Sequence, residues 1–454
     1  MIQLVYTLAL IIMLPLIVPW YLHQILWHGK YKRGFSERIA RISNPKNSET
    51  GLTIWIHAAS VGEILAAEPI IKELKKRHPS TRFYLTSNTD TGYNTAKKQL
   101  DCLEEVYQTP FDLPWIVNRF ISTIRPSLLI IMETEIWPNM IKACHKRSIP
   151  ILIANGRISD RSFPKYLKLK WFIKPVLSNV DTFIMQSARD AERIIALGAL
   201  KETVINAGNV KYDRGTPEKT QSIVLNCIKV LNWHDPSRVF VAGSTHLTEE
   251  KIICEAFNSV LKQLPEFKMI LAPRHVNRAD EVCDLVKKAG LKPFRCTEYE
   301  RFNQYPAENR QACQVLVLDI MGELFQAYST GSISFVGGSL QPIGGHNVLE
   351  PAALAKPVLF GPFTANFADA VNQLLIYDAG RSVKSSQELA EAILEFSFNP
   401  ELAAQVGQNA LAVVEANRGA VERHITHIRR LIYNSNVLEL DRKKNIGCKR
   451  DINS

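Results

Sequence analysis

Ile54-Trp55-Ile56-His57 is a short apolar run that breaks at once into Ala58-Ala59-Ser60-Val61-Gly62-Glu63. β-Branched and aromatic residues ended by small ones read as a buried strand entering a turn. Beyond it, Ile64, Ala67, Ile71 and Leu74 recur on one helical face of Glu63–Arg77, while Lys72, Glu73, Lys75 and Lys76 fall elsewhere. Strand, small-residue turn and amphipathic helix open a βαβ unit, so the expected class is α/β with parallel, doubly wound sheets.

The same alternation extends outward. Further strands are expected at Arg82–Thr86, Leu128–Met132, Ile151–Ala154, Thr182–Met185 and Val204–Ala207. A second set is expected at Val239–Ala242, Met269–Ala272, Val315–Leu318, Ser332–Val336 and Val358–Phe360, and a helical stretch, 400–433, closes the folded part. These sets predict two Rossmann-like domains, 30–215 and 237–435, joined by a linker at 216–236 and followed by a basic tail, 436–454. Ligands of such sheets bind outside the carboxyl ends of the strands, so the chemistry is sought there.

At 454 residues the chain has room for two or three domains. Its 46% hydrophobic and 22% charged residues exclude wholesale disorder, and its glycines and prolines follow no short period. A formal net charge of +11 favours anionic partners, whether phosphorylated substrates, nucleic acid or an acidic membrane surface. The eight cysteines form no C-x-x-C pair and no zinc-spaced cluster with histidine, so reduced thiols and no metal site are expected.

Between Ile2 and Gly29 there is no Asp, Glu, Lys or Arg, and Leu4–Leu22 is almost wholly apolar. About 20 helical residues at 1.5 Å each span a ~30 Å hydrocarbon core, so residues 1–29 are expected to be a membrane anchor. Lys30, Lys32, Arg33, Arg38 and Arg41 follow against the single acid Glu37, which places the remainder on the cytoplasmic side. Pro15 and Pro19 interrupt the run, leaving a half-inserted or surface-lying helix as the alternative. A cleaved signal peptide is not expected, because no positive charge precedes the run. Arg161, Lys165, Lys168, Lys170 and Lys174, interleaved with Phe163, Tyr166, Trp171 and Phe172, form either a membrane-facing surface or an ordinary amphipathic helix.

Several strand ends carry groups suited to chemistry. Glu63 falls in the first turn of a helix, where the dipole alone favours acids, yet a small-residue turn beside it suits a general base. Glu133 and Glu135 follow the apolar strand Leu128–Met132, and period-two spacing points both to one face if the strand continues. Lys211 ends the first half in Asn209-Val210-Lys211 and is suited to neutralising a phosphate. In the second half, Ser244 lies in Gly243-Ser244-Thr245-His246, Pro273-Arg274-His275 follows a strand, and Met321-Gly322-Glu323 precedes a helix. Gly337-Gly338-Ser339 and Gly344-Gly345-His346-Asn347-Val348-Leu349-Glu350 read as a phosphate cradle around a strand end and a helix start. Neither a P-loop nor a compact G-x-G-x-x-G occurs, which disfavours ATP hydrolysis and hydride transfer. With no Asp-x-Asp, a metal-chelated sugar nucleotide is disfavoured, and cations and helix dipoles must stabilise a leaving group.

Together these motifs, with Asn155-Gly156-Arg157-Ile158-Ser159 and Gly29–Arg38, resemble the 3-deoxy-D-manno-octulosonic acid (Kdo) transferases over nearly the whole chain. Gly156 stands where that family usually has alanine, and Thr248 where glycine is common. The resemblance implies a GT-B glycosyltransferase with an N-terminal acceptor domain, a C-terminal CMP-Kdo domain and an interdomain cleft. It implies inverting transfer of Kdo from CMP-Kdo onto a tetraacylated lipid A precursor at the cytoplasmic face of the inner membrane. No cofactor or metal and no nucleic acid is implied. Glu63 matches the family's general base, and Glu133 and Lys211 match positions that stabilise the transition state. Pro273, Arg274, Met321, Gly322, Glu323, Asn347, Val348, Leu349 and Glu350 match CMP-binding positions, and Ser244 and His346 flank them. Two alternatives stand beside this reading. One is another envelope GT-B enzyme, such as a lipid A disaccharide synthase using a UDP-sugar. The other is a non-catalytic, membrane-tethered nucleotide- or lipid-binding protein.

Overall fold

The computed structural model describes residues 6–13, 15, 34–42, 51–213, 222–233, 235–302 and 312–433. It divides into two compact units, one of Met1–Arg214 with Arg418–Ser454, the other of Gly215–Asn417.

In the first unit β1 (Thr53–His57), β2 (Arg82–Ser87), β3 (Glu105–Gln108), β4 (Leu128–Met132), β5 (Ile151–Gly156), β6 (Thr182–Met185) and β7 (Val204–Asn206) form one sheet. Their order is β3-β2-β1-β4-β5-β6-β7, with β1 parallel to both β2 and β4. Trp55, Leu129, Ile131, Ile151 and Ile153 pack into one core, whereas Ile54, Ile56, Leu128, Ile130 and Leu152 pack into another. Both faces are covered, which is why these strands read as continuous apolar runs rather than alternating ones. Trp55 anchors the first core: its ring lies 4.9 Å from that of Phe120, and its indole donates to Thr86 Oγ1 at 3.0 Å.

The second unit repeats the plan. Its strands are β8 (Val239–Thr245), β9 (Lys268–Pro273), β10 (Pro293–Arg295), β11 (Val315–Val317), β12 (Ile333–Val336), β13 (Val358–Phe360) and β14 (Gly380–Ser382), in the order β10-β11-β9-β8-β12-β13-β14. Its pairings are parallel, as β8 with β9 and β12 illustrates. Three strands were not expected from the sequence, namely β3, β10 and β14. Each lies at an edge, where a strand has one neighbour and needs no long apolar run.

The closing helix departs from expectation. Residues 420–433 pack with the first unit rather than the second: Ala420, Ile425, Ile428 and Ile432 enter the core of Ile54 and Leu128. Asp213 accepts the amides of Gly419 and Val421 at 2.6 and 2.5 Å, and Arg77 grips Glu422 through both terminal nitrogens. Periodicity shows that a helix exists but not which core receives its apolar face. The expected linker also shrinks, because Ile223–Leu231 is a helix of the second unit, capped by Ser222.

Most of the apolar run 4–22 lies outside the described residues. Among those described, no helix is long and apolar enough to cross a membrane. Helical residues 6–13 pack on the first unit. Thr7 donates to Asn139 at 3.2 Å, Tyr6 lies 5.8 Å from the Phe172 ring, and Leu10 is half-buried against the core.

Candidate active site

In an open parallel sheet the ligand crevice opens where strand order reverses. In the first unit that point lies between β1 and β4, and Glu63 and Glu133 follow those two strands. Ser60 caps the helix Val61–Arg77, and Glu63 occupies its first turn. The carboxylate accepts the Ala59 amide at 2.7 Å and the Ser60 hydroxyl at 2.9 Å, while Ser60 Oγ accepts the Glu63 amide at 3.5 Å. This is a variant of the capping box, in which the glutamate reaches the amide one residue before the N-cap, and the Ser60-x-x-Glu63 spacing is its mark in the sequence. The residue is 7% exposed. Burial foremost, with the charges of Glu133 and Glu135, pushes its carboxyl up to about 7 against the lowering pull of Ala59 and Ser60. A group poised there can act as a base at neutral pH.

The expected shared face of Glu133 and Glu135 is not what forms. β4 ends at Met132, and Glu133 has φ of 53°, so the period-two argument stops one residue too early. The two carboxylates still both act on Glu63, but each has its own partner. Glu133 faces Lys211 at 3.5 Å. Glu135 lies 4.0 Å from His57 and accepts the Trp137 indole at 3.1 Å; His57 foremost, with Trp137, holds its carboxyl below the usual range against burial. Trp137 also donates to His57 Nε2 at 3.0 Å, and His57 Nδ1 contacts Thr86 Oγ1.

Lys211 sits in the short turn Val210–Asp213, which a buried amide network holds. Asn155, at the end of β5 with φ of 53°, accepts the Val210 amide on its side chain. Gln186 donates to the Asn155 carbonyl and accepts from Asn209, whose own side chain accepts the Lys211 amide. From the returning helix, His424 Nε2 accepts the Asn155 amide at 3.0 Å. Left-handed backbone at non-glycine residues is strained and is sustained only by such surroundings. Gln186 and His424 gave no signal in the sequence, because their role exists only once distant segments meet.

The second unit reverses order between β8 and β12. Ser244, next to last in β8, has φ of 56°, and a Cβ added to Gly337, just beyond β12, would meet the Ser244 carbonyl at 2.5 Å. Only glycine permits that approach. The expected phosphate cradle is largely occupied by the protein itself. Glu249, fully buried, accepts the amides of His246, Gly338, Ser339 and Leu340 at 2.7–3.0 Å. The Gly345 and His346 amides donate to Gly338 and Gly337, and the helix begins only at Leu349. A glycine loop offers amides to any carboxylate in reach, and here an internal one reaches them first.

Side chains therefore furnish the cationic rim. Arg274 and His275, just past Pro273 at the end of β9, are exposed, and Arg274 has no acidic partner among the described residues. His246 meets His346 at 2.8 Å between their Nε2 atoms, and the His275 ring stands edge-on to His246. Met321 is 62% exposed and Gly322 turns left-handed at φ 80°. Glu323 is buried and accepts the Ser222 hydroxyl at 2.6 Å and the Val224 amide, so it holds the start of the helix Ile223–Leu231. Asn347 holds the helix start, accepting the Leu349 amide and donating to Glu350. Val348 and Leu349 are buried. Glu63 and Glu133 thus follow the two strands at the first unit's switch point and Ser244 lies near the end of β8 at the second's, whereas Arg274 follows β9 and residues 321–323 follow β11, away from it.

Among the described residues no His, Cys, Asp and Glu group could hold a metal ion. The basic aromatic stretch forms two short helices, Phe163–Lys168 and Lys170–Leu177. Phe163, Tyr166 and Phe172 pack half-buried on the core, whereas Leu167, Leu169 and Trp171 are exposed among the lysines.

The family model of 3-deoxy-D-manno-octulosonic-acid transferase (kdotransferase) matches residues 33–214. A 3-deoxy-D-manno-octulosonic acid transferase of Haemophilus influenzae is 34% identical over 92% of this chain and 96% of its own. A Rickettsia felis protein of the same name is 31% identical over 84% and 79%. Among solved structures, Neisseria meningitidis UDP-GlcNAc 2-epimerase aligns over 84% of this chain and 100% of its own, with TM-score 0.57 and 13% identity. Acinetobacter baumannii MurG aligns over 84% and 99%, with TM-score 0.53 and 11% identity. At such identities these structures speak to the fold alone, and the fold is the GT-B type that the motifs implied.

Proposed function

The chain belongs to the 3-deoxy-D-manno-octulosonic acid transferase family, and from that premise we propose that it moves Kdo from CMP-Kdo onto an acylated, phosphorylated glucosamine disaccharide of the lipid A type. The observation that carries the reading is the buried Glu63 carboxyl, pushed up to about 7 beside Glu133 and Glu135. Glu63 removes the proton from an acceptor hydroxyl as that oxygen attacks the anomeric carbon, and CMP leaves from the opposite face with inversion. General-base assistance of this kind supplies roughly 10²–10⁴-fold. CMP is a good leaving group and needs no general acid. Arg274, with the histidines of the second unit, meets its phosphate, and Lys211 beside Glu133 steadies the developing charge. The segments Pro273-Arg274, Met321-Gly322-Glu323 and Asn347–Glu350 bind the cytidylate.

The acceptor's acyl chains keep it in a bilayer, and the enzyme works at that surface. The apolar run before Lys30 anchors the chain on the cytoplasmic side of the inner membrane. Exposed Leu8, Ile12 and Met13 and the neighbouring Leu167, Leu169 and Trp171 among lysines support a lipid-facing side of the first unit. Incubation with CMP-Kdo and a tetraacylated lipid A precursor, followed by mass spectrometry, tests the whole reading: the glycolipid gains Kdo. Competition by UDP but not CMP, or no product at all, would overturn it.

A further inference from the structure

The geometry points to His246 and His346 as a proton-sharing pair that binds the donor phosphate by taking up one proton as the anion arrives. This rests on the CMP-binding role proposed above for the second unit and adds two things to it: a role for His246, and a proton that enters with the ligand.

The two rings lie within 7° of parallel with centroids 5.0 Å apart, and their Nε2 atoms are 2.8 Å apart. That nitrogen contact plus the two ring radii accounts for the whole centroid separation, so the rings meet end to end. One Nε2 must then carry hydrogen and the other a lone pair. In the neutral pair the donor ring has a bare Nδ1 and the acceptor ring an Nδ1–H. One added proton at the bare Nδ1 makes the pair a monocation with two outward N–H donors and leaves the internal hydrogen bond intact. A second would set two N–H groups against each other. The pair can therefore accept one proton and no more. Neither Nδ1 has a protein partner among the described residues.

The surroundings keep that proton away until an anion comes. Around His246 stand Glu249 from the helix Glu249–Leu261, Arg274 and His275 from the end of β9, and Arg278 beyond them. Arg278 is already paired with Glu250 and Glu281, and the Glu249 carboxylate is taken up by four amides. Around His346 stand Arg274, His246 and His275. Burial and these cations hold both imidazoles below their usual value, His346 at about 4. A phosphate beside Arg274 reverses that field and raises the proton affinity of the pair. The pair follows the ends of β8 and β12, which flank the switch point where an α/β sheet binds its ligand.

Titration calorimetry of CMP into the full-length chain at pH 8, in two buffers of different ionisation heat, reads the protons exchanged. At that pH free CMP is a dianion, since the second phosphate pKa is about 6. The wild type should take up a measurable fraction of one proton. The H246N and H346N variants should each bind CMP on the order of tenfold more weakly, the loss of one charge-assisted hydrogen bond, and take up none. Uptake unchanged in both variants would place the proton on the phosphate and overturn the pair's role. CMP binding to the wild type without uptake would overturn it too, while leaving the donor-site reading standing. Failure of the folded wild type to bind CMP at all would sink that reading and this inference together.

Discussion

Ser60 and Glu63 hold each other: the serine hydroxyl donates to Oε1 of the glutamate at 2.9 Å and accepts the glutamate's amide at 3.5 Å. The group proposed as the base is thus also half of a helix cap, which fixes its rotamer without substrate. Ser60→Ala should cost on the order of 1 kcal/mol of stability. It also removes a hydrogen bond that lowers the Glu63 carboxyl, so the acidic limb of kcat/KM should move to higher pH. Ser60→Thr keeps the hydroxyl and should restore the limb. A limb that stays put in the alanine variant would separate Ser60 from the base.

Glu63 also ties stability to pH. Its folded value of about 7 exceeds the ordinary 4.5, so between those values the folded chain holds a proton that the unfolded chain has released. The stabilisation is full below 4.5 and is lost as pH rises through about 7, on the order of 3 kcal/mol. Glu63→Gln abolishes the dependence. In urea unfolding, the variant should gain on wild type from pH 4.5 to 7 and hold a constant lead above. Parallel curves across that range would mean that the carboxyl is unperturbed.

His424 works in the opposite sense. Burial foremost depresses its imidazole from 6.5 to about 4, and it accepts the Asn155 amide as a neutral ring. Its contribution is full above 6.5 and is lost as pH falls through about 4. Between 4.5 and 6.5 the two groups partly cancel, so only variants reveal them. His424→Leu strands the Asn155 amide and should cost roughly 1–3 kcal/mol at pH 7.5, while flattening the acid loss of stability. Because Asn155 also holds the turn that carries Lys211, kcat should fall as well. A variant with wild-type kcat would detach that network from the chemistry.

Thr248, where the resembling family commonly has glycine, has φ of 77°. A β-branched residue there is strained. Thr248→Gly should raise stability by about 1 kcal/mol or less, after the extra freedom of glycine in the unfolded chain is subtracted. Thr248→Ala keeps a Cβ and should gain little. Equal melting temperatures for wild type and Thr248→Gly would show that the strain is relieved elsewhere.

Interior strands were legible because burial on both faces writes itself as an apolar run: β1, β4, β6 and β13 fall where the sequence places them. The edge strands β3, β10 and β14 leave no such mark. Glu63 and Glu133 stand out in the sequence because each follows a strand, and a position after a strand is a one-dimensional signal. The ion pair of Glu133 with Lys211, the Glu249 carboxylate filling the glycine loop, and the facing of His246 and His346 join residues tens of positions apart or more. No local pattern encodes such meetings. The return of residues 420–433 to the first unit was hidden for the same reason.

The central claim is that the Glu63 carboxylate is the base. The decisive measurement is single-turnover transfer by the Glu63→Gln protein beside calorimetric binding of CMP to the same preparation. CMP affinity should match wild type while the transfer rate falls roughly 10²–10⁴-fold at pH 7.5. Transfer within a few-fold of wild type by a variant that binds CMP normally would contradict the account.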